Sequence, residues 1–489
     1  MELDSYQENV VFDDSNYLLV TAGAGSGKTF TILSKIRYLI DNNICTENEI
    51  LCLSFTRNAS FNLESKLDNM GYFVPVYTFH KLSINILKEN KVNFLIADDK
   101  LLDDVVHHFF SIDIYNSNYL LREVCFYFKI RCSSSIYRRF YFECNDSIVL
   151  LEKLCTKFIR MAKCNNYDLE DFPYFLKRIK TIFNFSYRKE KSLLIIFVNI
   201  FIIYKRYLDE NSELDFDDLI IHATDLIDSN GIIKNFKYII IDEYQDTSYI
   251  RFRLIKEIIN KTGAKLMAVG DDYQSIYGFS GCDISLFLDF SSYFSDSKVL
   301  HLVNTYRNSQ ELIDIAGTFI MKNPFQIKKK LHSFKHYNKP IKIIYYKNIL
   351  EKFLNVIDEI YSDGSRSVFV LGRNNSDIKM LSGIKISNNK LIIDKYNDMD
   401  IMFMTVHKSK GLEADSVIVI NMIDCYLGFP NKIKDEKIMR LVSKKYDNYL
   451  FSEERRLFYV ALTRSRNRVY LFSPLKNKSI FINEIKKLV

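Results

Sequence analysis

The sequence predicts an α/β protein with two parallel sheets flanked by helices and an α-helical insertion in the first of them. Short apolar runs rich in β-branched residues alternate with helical patterns, which is typical of parallel strands joined by helical crossovers. These runs form two sets along the chain, and a long aromatic-rich helical stretch interrupts the first set. Ligands of such sheets bind at the carboxyl ends of the strands, so functional residues are expected there.

The first set of predicted strands is YLLVTAG, EILCLSFT, VPVYTFH, YIIIDE, KLMAVGD and VLHLVNTYR. Helical patterns follow Lys28 and Arg57, as a strand–helix alternation requires. The second set is IKIIYY, SVFVLGR, IMFMTVH, SVIVINM and RVYLFS. Each run of the first set ends in Gly or in a polar or charged residue, which is where a parallel strand gives way to a loop.

Between His80 and about Leu214 the pattern changes to long helical segments with few strand signals. We interpret this stretch as an insertion within the first core. The interval from Arg307 to Thr405 is long enough to complete a second core and too short for a large insertion there. The expected division is a first core at 1–85 and 214–298, a helical insertion at 86–213 and a second core at 299–489.

Composition agrees with a globular protein of ordinary type. The 489 residues are 48% hydrophobic and 26% charged, with a net charge of +7 that permits nucleic-acid binding without requiring it. The nine cysteines have no zinc-like spacing and no signal peptide is evident, so reduced thiols and a cytoplasmic location are expected. The apolar run at 192–204 is too short to span a bilayer and predicts a buried helix, so no membrane partner is expected.

The stretch TAGAGSGKT, at 21–29, predicts a phosphate-binding loop, because it follows the run YLLV and precedes a helical pattern. Small residues let backbone N–H groups surround phosphate oxygens, and the helix N-terminus adds its dipole. Lys28 is predicted to reach the β- and γ-phosphates of ATP, and the Thr29 hydroxyl to ligate Mg²⁺. A glycine-rich turn that binds no nucleotide is the alternative. The predicted nucleotide-binding residues here are Ala22, Gly23, Ala24, Gly25, Ser26, Gly27, Lys28, Thr29 and Phe30.

Ala22 stands where the usual pattern has its first glycine, and the loop is expected to form if this position keeps a negative φ. The run YIIIDEYQDTS adds two adjacent carboxylates after a predicted strand. Alone they are as consistent with a solvated turn as with a metal site. With the phosphate loop present, Asp242 is predicted to hold Mg²⁺ and Glu243 to orient the attacking water as the base. Asp246, the third acid of the run, is expected only to cap the helix that begins near Ser248 or to orient its neighbours.

Five motifs in this order resemble those of superfamily 1 DNA helicases of the UvrD/Rep type: AGAGSGKT, DEYQDT, GDDYQSIYGF, TVHKSKGLEAD and EERRLFYVALTRS. The resemblance spans Gln7 to about Phe472, and the part from Met404 onward is most similar to bacterial DNA helicase IV and its short relatives. It implies two RecA-like P-loop NTPase cores. It also implies a DNA-dependent ATPase, of the kind that serves DNA repair, with ATP and Mg²⁺ as cofactors.

The resemblance assigns roles around the nucleotide to residues at matching positions. Gln7 resembles the glutamine that contacts the adenine edge, Tyr306 the tyrosine that stacks on adenine, and Glu413 the ribose contact. Arg307 and Arg464 match the arginines that contact the γ-phosphate, and Gln274 matches the glutamine that senses it. Gln245 matches the glutamine that couples hydrolysis to DNA. Outside this context, each arginine is equally typical of a surface salt bridge.

Three segments match parts of the family that face single-stranded DNA: SFTRNAS, YTFHKL and QSIYGFSG. Aromatic side chains in them are expected to stack on bases, with core packing as the alternative, especially for Phe55. The family commonly has tryptophan at Phe279 and arginine at Ser280, which predicts a weaker grip at this point. The predicted DNA-binding residues are Phe55, Thr56, Arg57, Thr78, His80, Tyr277, Phe279, Thr405 and His407.

The leading hypothesis is an ATP-dependent helicase or translocase that moves along single-stranded or tailed DNA as its two cores close around ATP. The resemblance alone implies 3′→5′ movement. An alternative is a nucleotide-gated DNA sensor that partners a nuclease or another repair or defence protein and unwinds little by itself. A third possibility is a P-loop NTPase acting on a substrate other than nucleic acid. Stimulation of hydrolysis by single-stranded DNA separates the third from the first two.

Overall fold

The computed structural model describes residues 2–182, 186–443 and 449–489. Strands and helices alternate from the amino terminus, as the apolar runs predict. The capping box of the first helix, in which Asp4 and Gln7 exchange side chain–backbone hydrogen bonds, explains why that helix begins at Ser5. The elements of this part are α1 (Ser5–Val11), β1 (Tyr17–Ala22), α2 (Lys28–Asp41), β2 (Ile50–Ser54), α3 (Arg57–Asp68), β3 (Val76–Thr78) and α4 (Phe79–Glu89).

A helical bundle follows, enclosed by a short parallel pair of strands. Its elements are β4 (Leu95–Ile96), α5 (Leu101–Ser111), α6 (Asn118–Phe128), α7 (Ser134–Glu143), α8 (Asn145–Cys164), α9 (Phe172–Ile182), α10 (Tyr187–Asn211) and β5 (Glu213–Leu214). The apolar run at 192–204 lies within α10 and contributes most of its buried residues, which confirms the predicted buried helix. No helix in the described ranges is long and apolar enough to cross a membrane.

The chain then returns to the first sheet through α11 (Phe216–Asp228), β6 (Tyr238–Ile241), α12 (Tyr249–Thr262), β7 (Lys265–Gly270), α13 (Ser285–Leu288), α14 (Phe290–Tyr293) and β8 (Lys298–Leu302). All six strands are parallel, in the order β3-β2-β6-β7-β1-β8. Separate apolar clusters cover the two faces of this sheet. Burial on both faces explains why the four inner strands, β2, β6, β7 and β1, appear in the sequence as continuous apolar runs.

The second sheet has seven strands in the order β11-β17-β16-β12-β15-β14-β13, of which the first five are parallel. The remaining elements in chain order are β9 (Asn304–Thr305), α15 (Gln310–Ile320), β10 (His332–Ser333), β11 (Ile341–Tyr346), α16 (Ile349–Ser362), β12 (Ser367–Gly372), β13 (Lys385–Ser387), β14 (Lys390–Ile392), β15 (Asp400–Thr405), β16 (Ala414–Val419), α17 (Ser452–Leu462), β17 (Ser465–Pro474) and α18 (Ile480–Ile485). The predicted α/β class with two parallel sheets is confirmed, and all nine cysteines are free.

Strand order explains how the predicted site residues meet. The neighbouring strands β6, β7 and β1 end at Ile241, Gly270 and Ala22, so the loops that follow them emerge side by side. The next strands outward, β2 and β3, lead into the segments predicted to face DNA. The nucleotide and DNA segments of the first sheet therefore lie along one edge of the same sheet.

One connection was not predicted from the sequence. The segment Ile438–Val442, which belongs in sequence to the second half of the chain, packs into the apolar core of the helical bundle. The Asn165 side chain at the end of α8 donates to the Val442 carbonyl at 2.9 Å, and Lys157 pairs with Asp435 at 2.5 Å. The bundle is thus joined to the connection between β16 and α17 in the second half of the chain, although its own sequence lies within the first core.

Candidate functional site

The predicted phosphate loop connects β1 to α2. Gly25 and Gly27 adopt φ values of +72° and +77°, a region that side chains disfavour, which explains the glycines at these two positions. Ala22 is the last residue of β1 and is not among the residues with positive φ, so alanine is tolerated there as expected. Lys28 opens α2, which aims the N-terminus of that helix at the loop.

Lys28 and Glu243 form one site, as the loop and the carboxylate pair predict. The Lys28 Nζ lies 3.0 Å from both Glu243 carboxylate oxygens. Burial alone would lower the pKa of Lys28, but the carboxylates of Glu243, Asp242 and Asp271 raise it above its ordinary value. Burial would conversely raise the pKa of Glu243, yet Lys28 and Lys410 lower it, so this carboxylate is ionised at neutral pH.

Asp242 follows the buried strand β6 directly. Burial and the neighbouring Glu243 charge raise the pKa of Asp242. Its Oδ1 accepts the Glu243 amide at 2.9 Å, and no lysine or arginine in the described ranges forms an ion pair with it. A carboxylate in this state gains from a nearby cation, and Asp242 with the Thr29 hydroxyl would supply oxygen ligands of the kind that Mg²⁺ prefers. Among the described residues no group of three His, Cys, Asp or Glu side chains forms a metal site, so phosphate oxygens and water would complete the coordination.

The coupling residue predicted at Gln245 lies between the base and the loop after β7. Its Nε2 donates to Glu243 Oε2 at 2.5 Å, and its Oε1 accepts the Asp271 amide at 2.9 Å. Its carbonyl also accepts the Ser275 hydroxyl at 3.2 Å. Gln245 therefore connects the end of β6 to the segment that leads into QSIYGFSG.

Gln274 and Arg464, predicted as sensor and arginine finger, are in direct contact. Arg464 is 1% exposed, and its guanidinium donates to Gln274 Oε1 at 3.0 Å. The Gln274 Nε2 donates to Asp271 Oδ2 at 2.7 Å. Burial and the nearby Arg307 charge lower the pKa of Arg464 to about 9, which still leaves it charged at neutral pH.

Arg307 and Glu413 also meet, although their predicted roles differ. The Arg307 Nε donates to Glu413 Oε2 at 2.6 Å, and Glu413 additionally pairs with Arg466 at 2.6 Å. Arg307 follows Tyr306, whose amide donates to the Gly25 carbonyl at 2.9 Å, so both residues lie over the phosphate loop. From the second half of the chain, Arg307 thus reaches the phosphate loop, and its guanidinium donates to the carbonyl of Thr463, the residue before Arg464, at 3.4 Å.

The adenine-side residues lie next to the loop. Gln7 is buried, and a Cβ placed on Gly27 would come within 2.7 Å of its Nε2. Tyr306 is 42% exposed, and its hydroxyl donates to Asp4 Oδ2 at 2.5 Å, which holds the ring beside α1. The structure therefore brings Gln7 and Tyr306 together beside Gly27 of the phosphate loop.

The aromatic residues predicted to contact DNA form a cluster where the two sheets meet. Phe55 and Tyr277 stack with ring centroids 5.5 Å apart and planes inclined by 13°. Phe279 lies 6.1 Å from Tyr277 and 5.4 Å from His407, and is 51% exposed. The Arg251 guanidinium lies 4.7 Å from the Phe55 centroid. Phe55 is therefore packed against two partners, whereas Phe279 presents a free surface.

The polar residues predicted to contact DNA differ in their hydrogen bonding, charge and exposure. Thr56 and Thr78 cap α3 and α4, where their hydroxyls accept from Ala59 and Lys81 amides. The imidazoles of His80 and His407 have pKa values lowered to about 4 by burial and nearby cations, so both are neutral at pH 7 and contribute no charge toward phosphates. Arg57 is exposed at the start of α3, and Thr405 is buried at the end of β15.

The sequence predicts that Asp246 either caps the next helix or orients its neighbours. The predicted helix cap is wrong. Ser248 occupies that N-cap position, while Asp246 is 1% exposed and pairs with Lys410 at 2.5 Å. Lys410 also donates to the Gln274 carbonyl and lies 5.0 Å from the Tyr277 ring centroid. Sequence reasoning did not single out Lys410, although it stands within the motif TVHKSKGLEAD.

Asp215, the first residue of the segment DFDDL at 215–219, connects α11 to α8. It caps α11 by accepting the amides of Asp217 and Asp218, and it pairs with buried Lys163 of α8. Lys163 also lies 2.7 Å from Asp218. The segment therefore attaches the helical bundle to the first core.

The phosphate loop, the carboxylate pair and the two converging arginines, set on parallel sheets, define a P-loop nucleoside triphosphatase built from two cores. Residues 3–295 match the UvrD/REP helicase N-terminal domain, and residues 380–475 match the UvrD-like helicase C-terminal domain. The chain therefore belongs to the UvrD/REP helicase family, and its fold is two RecA-like cores with a helical insertion in the first.

Relatives of known name cover nearly all of the chain. DNA helicase IV of Escherichia coli is 26% identical over 503 residues, which is 99% of this chain and 70% of that protein. ATP-dependent DNA helicase Rep of Buchnera aphidicola from Acyrthosiphon pisum is 27% identical over 519 residues, 100% of this chain and 72% of that protein. ATP-dependent DNA helicase PcrA of Staphylococcus epidermidis is 26% identical over 330 residues, 66% of this chain and 40% of that protein.

Proposed function

We propose that this chain is a motor that couples ATP hydrolysis to 3′→5′ movement along single-stranded DNA. Its family makes it an ATP-dependent DNA helicase of the UvrD/Rep/PcrA kind. The observation that carries the finer proposal is the loop after β7. Gln274 in that loop contacts Arg464, and three residues later Tyr277 stacks on Phe55. A change at the γ-phosphate is therefore transmitted to the aromatic cluster over a very short stretch of backbone.

We infer that the two cores close around ATP, because each core supplies positively charged groups to the site. Lys28 and Glu243 come from the first core, which we assign to 1–85 and 214–298, and Arg307 and Arg464 from the second, at 299–489. The anionic γ-phosphate attracts both sets, so ATP favours the closed arrangement and hydrolysis releases it. We assign the remaining residues, 86–213, to the helical insertion, which completes the proposed division of the chain into domains.

The proposed catalytic roles use the geometry of the loop and the carboxylates. Lys28 neutralises the transferring phosphate, Glu243 orients the attacking water, and Arg307 and Arg464 stabilise the charge that develops. Bound Mg²⁺, held by Thr29 and Asp242, would neutralise the β- and γ-phosphate oxygens. Support comes from the contact of Lys28 with Glu243 at 3.0 Å and from the raised pKa of the partly buried Asp242, which forms no ion pair with a lysine or arginine of the described ranges.

The alternative expected from the sequence, a DNA sensor with little unwinding and a nuclease partner, is not supported by the comparisons. The relatives that cover the chain are named DNA helicases. The third possibility, a substrate other than nucleic acid, conflicts with the family for the same reason.

Strand separation on tailed duplexes tests the proposal. The isolated chain is expected to unwind a duplex with a 3′ single-stranded tail, to leave a 5′-tailed or blunt duplex largely intact, and to hydrolyse ATP faster when single-stranded DNA is added. Unwinding from the 5′ tail would reverse the proposed direction. DNA-stimulated hydrolysis without strand separation on any substrate would favour the sensor instead.

Replacing Phe279 by alanine tests the DNA surface. Because the ring is half exposed, its removal should leave the fold unchanged while weakening binding to single-stranded DNA by about 1–3 kcal/mol, roughly 5- to 150-fold. Fluorescence anisotropy with a labelled oligonucleotide at fixed salt measures this. The matched control is Phe73→Ala, which removes a phenylalanine that is 70% exposed and lies outside the aromatic cluster. Equal affinities of the two variants for the oligonucleotide would mean that Phe279 does not contact single-stranded DNA.

A further inference from the structure

A buried lysine beside the nucleotide site belongs to none of the motifs. Lys329 lies between α15 and β10, and its side chain is 4% exposed. Its Nζ lies 2.7 Å from Asp271 Oδ1, 2.5 Å from Asp272 Oδ1 and 3.0 Å from the Ala22 carbonyl. One ammonium group thus joins the end of β1 to the loop that follows β7.

The segment that carries Lys329 is bonded to this loop along its length. The Gln326 Nε2 and the Ile327 amide both donate to Asp272 Oδ2, at 2.6 and 2.9 Å. The Tyr273 hydroxyl donates to the Ile327 carbonyl at 2.6 Å, and its ring centroid lies 4.4 Å from the Lys329 Nζ. Burial alone would lower the pKa of Lys329, but the two carboxylates raise it, so the group is charged.

Asp271 is the junction between this lysine and the proposed catalytic residues. While Oδ1 faces Lys329, Oδ2 accepts the Gln274 side-chain amide at 2.7 Å. A carboxylate only accepts and a guanidinium only donates, so Gln274 has one orientation that satisfies both Asp271 and Arg464. The same reasoning applies to Gln245. Its side-chain oxygen must accept the backbone N–H of Asp271, and its side-chain nitrogen must donate to the carboxylate of the base Glu243.

We propose that Lys329 is a positioning residue for ATP hydrolysis: it fixes the Asp271 carboxylate and thereby the orientation of Gln274 and the placement of Gln245. It acts through Asp271, from a segment that follows Arg307 in the chain. The inference rests on the proposed function, because Gln274, Gln245 and Glu243 matter here only if ATP is hydrolysed at this site.

A purely structural role is the rival explanation. Without Lys329, Asp271 and Asp272 would be two buried carboxylates with no lysine between them, and such charge is costly to bury. The two roles separate in a charge-balanced variant. Lys329→Met with Asp272→Asn removes one positive and one negative group, which keeps the net charge of the cluster while leaving Asp271 without its lysine.

The experiment measures ATP hydrolysis by the full chain at saturating single-stranded DNA, over a titration of ATP, with thermal unfolding of each variant in parallel. Lys329→Met is expected to lower kcat by about 10- to 100-fold, with KM for ATP changed by less than about 3-fold, because misplaced groups slow the chemical step more than binding. The double variant should recover thermal stability but keep a low kcat compared with Asp272→Asn alone. Lys330→Met, the same change at the exposed neighbour, should match the wild type.

Each outcome decides between the explanations. If the double variant regains the kcat of Asp272→Asn, the lysine only balances charge and the proposal is wrong, even where Lys329→Met alone fails to fold. A raised KM with unchanged kcat also overturns it, because Lys329 would then serve nucleotide binding. Absence of ATP hydrolysis by the wild type contradicts the proposed function and this inference with it, whereas full activity of Lys329→Met overturns the inference alone.

Discussion

Glu243→Gln is expected to lower the kcat of DNA-stimulated ATP hydrolysis by about 10²- to 10⁴-fold, because an amide cannot act as the base. The substitution keeps the size of the side chain, and the amide oxygen can still accept the hydrogen bond that Gln245 now donates to the carboxylate. Lys28 loses its ion pair with Glu243 and becomes more available to phosphates. The affinity for ATP should therefore be retained.

Steady-state hydrolysis at saturating single-stranded DNA, together with binding of a fluorescent ATP analogue, measures both quantities. The matched control is Glu210→Gln. Glu210 is an exposed glutamate at the end of α10 and lies outside the five motifs. It should hydrolyse ATP like the wild type. Unchanged turnover in Glu243→Gln would mean that another group orients the attacking water.

Arg464→Lys is expected to reduce kcat by about 10³- to 10⁵-fold, the range over which arginine fingers act. The planar guanidinium donates simultaneously to Gln274 Oε1 and to the carbonyls of Val460 and Leu412. A lysine ammonium has no fork of this geometry, so it cannot satisfy the same acceptors and reach a γ-phosphate. The buried acceptors left unpaired should also cost roughly 1–3 kcal/mol of unfolding free energy.

The same hydrolysis assay, with thermal unfolding measured beside it, tests this prediction. KM for ATP should change by only a few-fold (about 3-fold or less), because the guanidinium acts mainly on charge that develops in the transition state. Arg139→Lys is the control, since that guanidinium is 78% exposed and pairs with Glu143 of its own helix. An Arg464→Lys variant that folds and turns over ATP at the wild-type rate would remove Arg464 from the site.

The phosphate loop and the strands were predictable because their signals are local. Backbone conformation at Gly25 and Gly27, the position of Lys28 at a helix start and the carboxylates after a β-branched run all follow from a few consecutive residues. Parallel strands buried on both faces also leave continuous apolar runs, which is why the inner strands of the first sheet were predictable. The roles of Arg307 and Arg464 came from resemblance, since no spacing encodes which arginine reaches a phosphate.

The sequence by itself therefore determined the α/β class, the phosphate loop and the helical insertion, each of which depends on local pattern. Only the tertiary structure decided that Asp246 pairs with Lys410, 164 positions away, instead of capping a helix. It likewise placed Lys329 against Asp271, 58 positions away, and Ile438–Val442 within the helical bundle. Buried ion pairs and apolar contacts of this kind join residues that no local periodicity relates, because the fold alone brings them within reach.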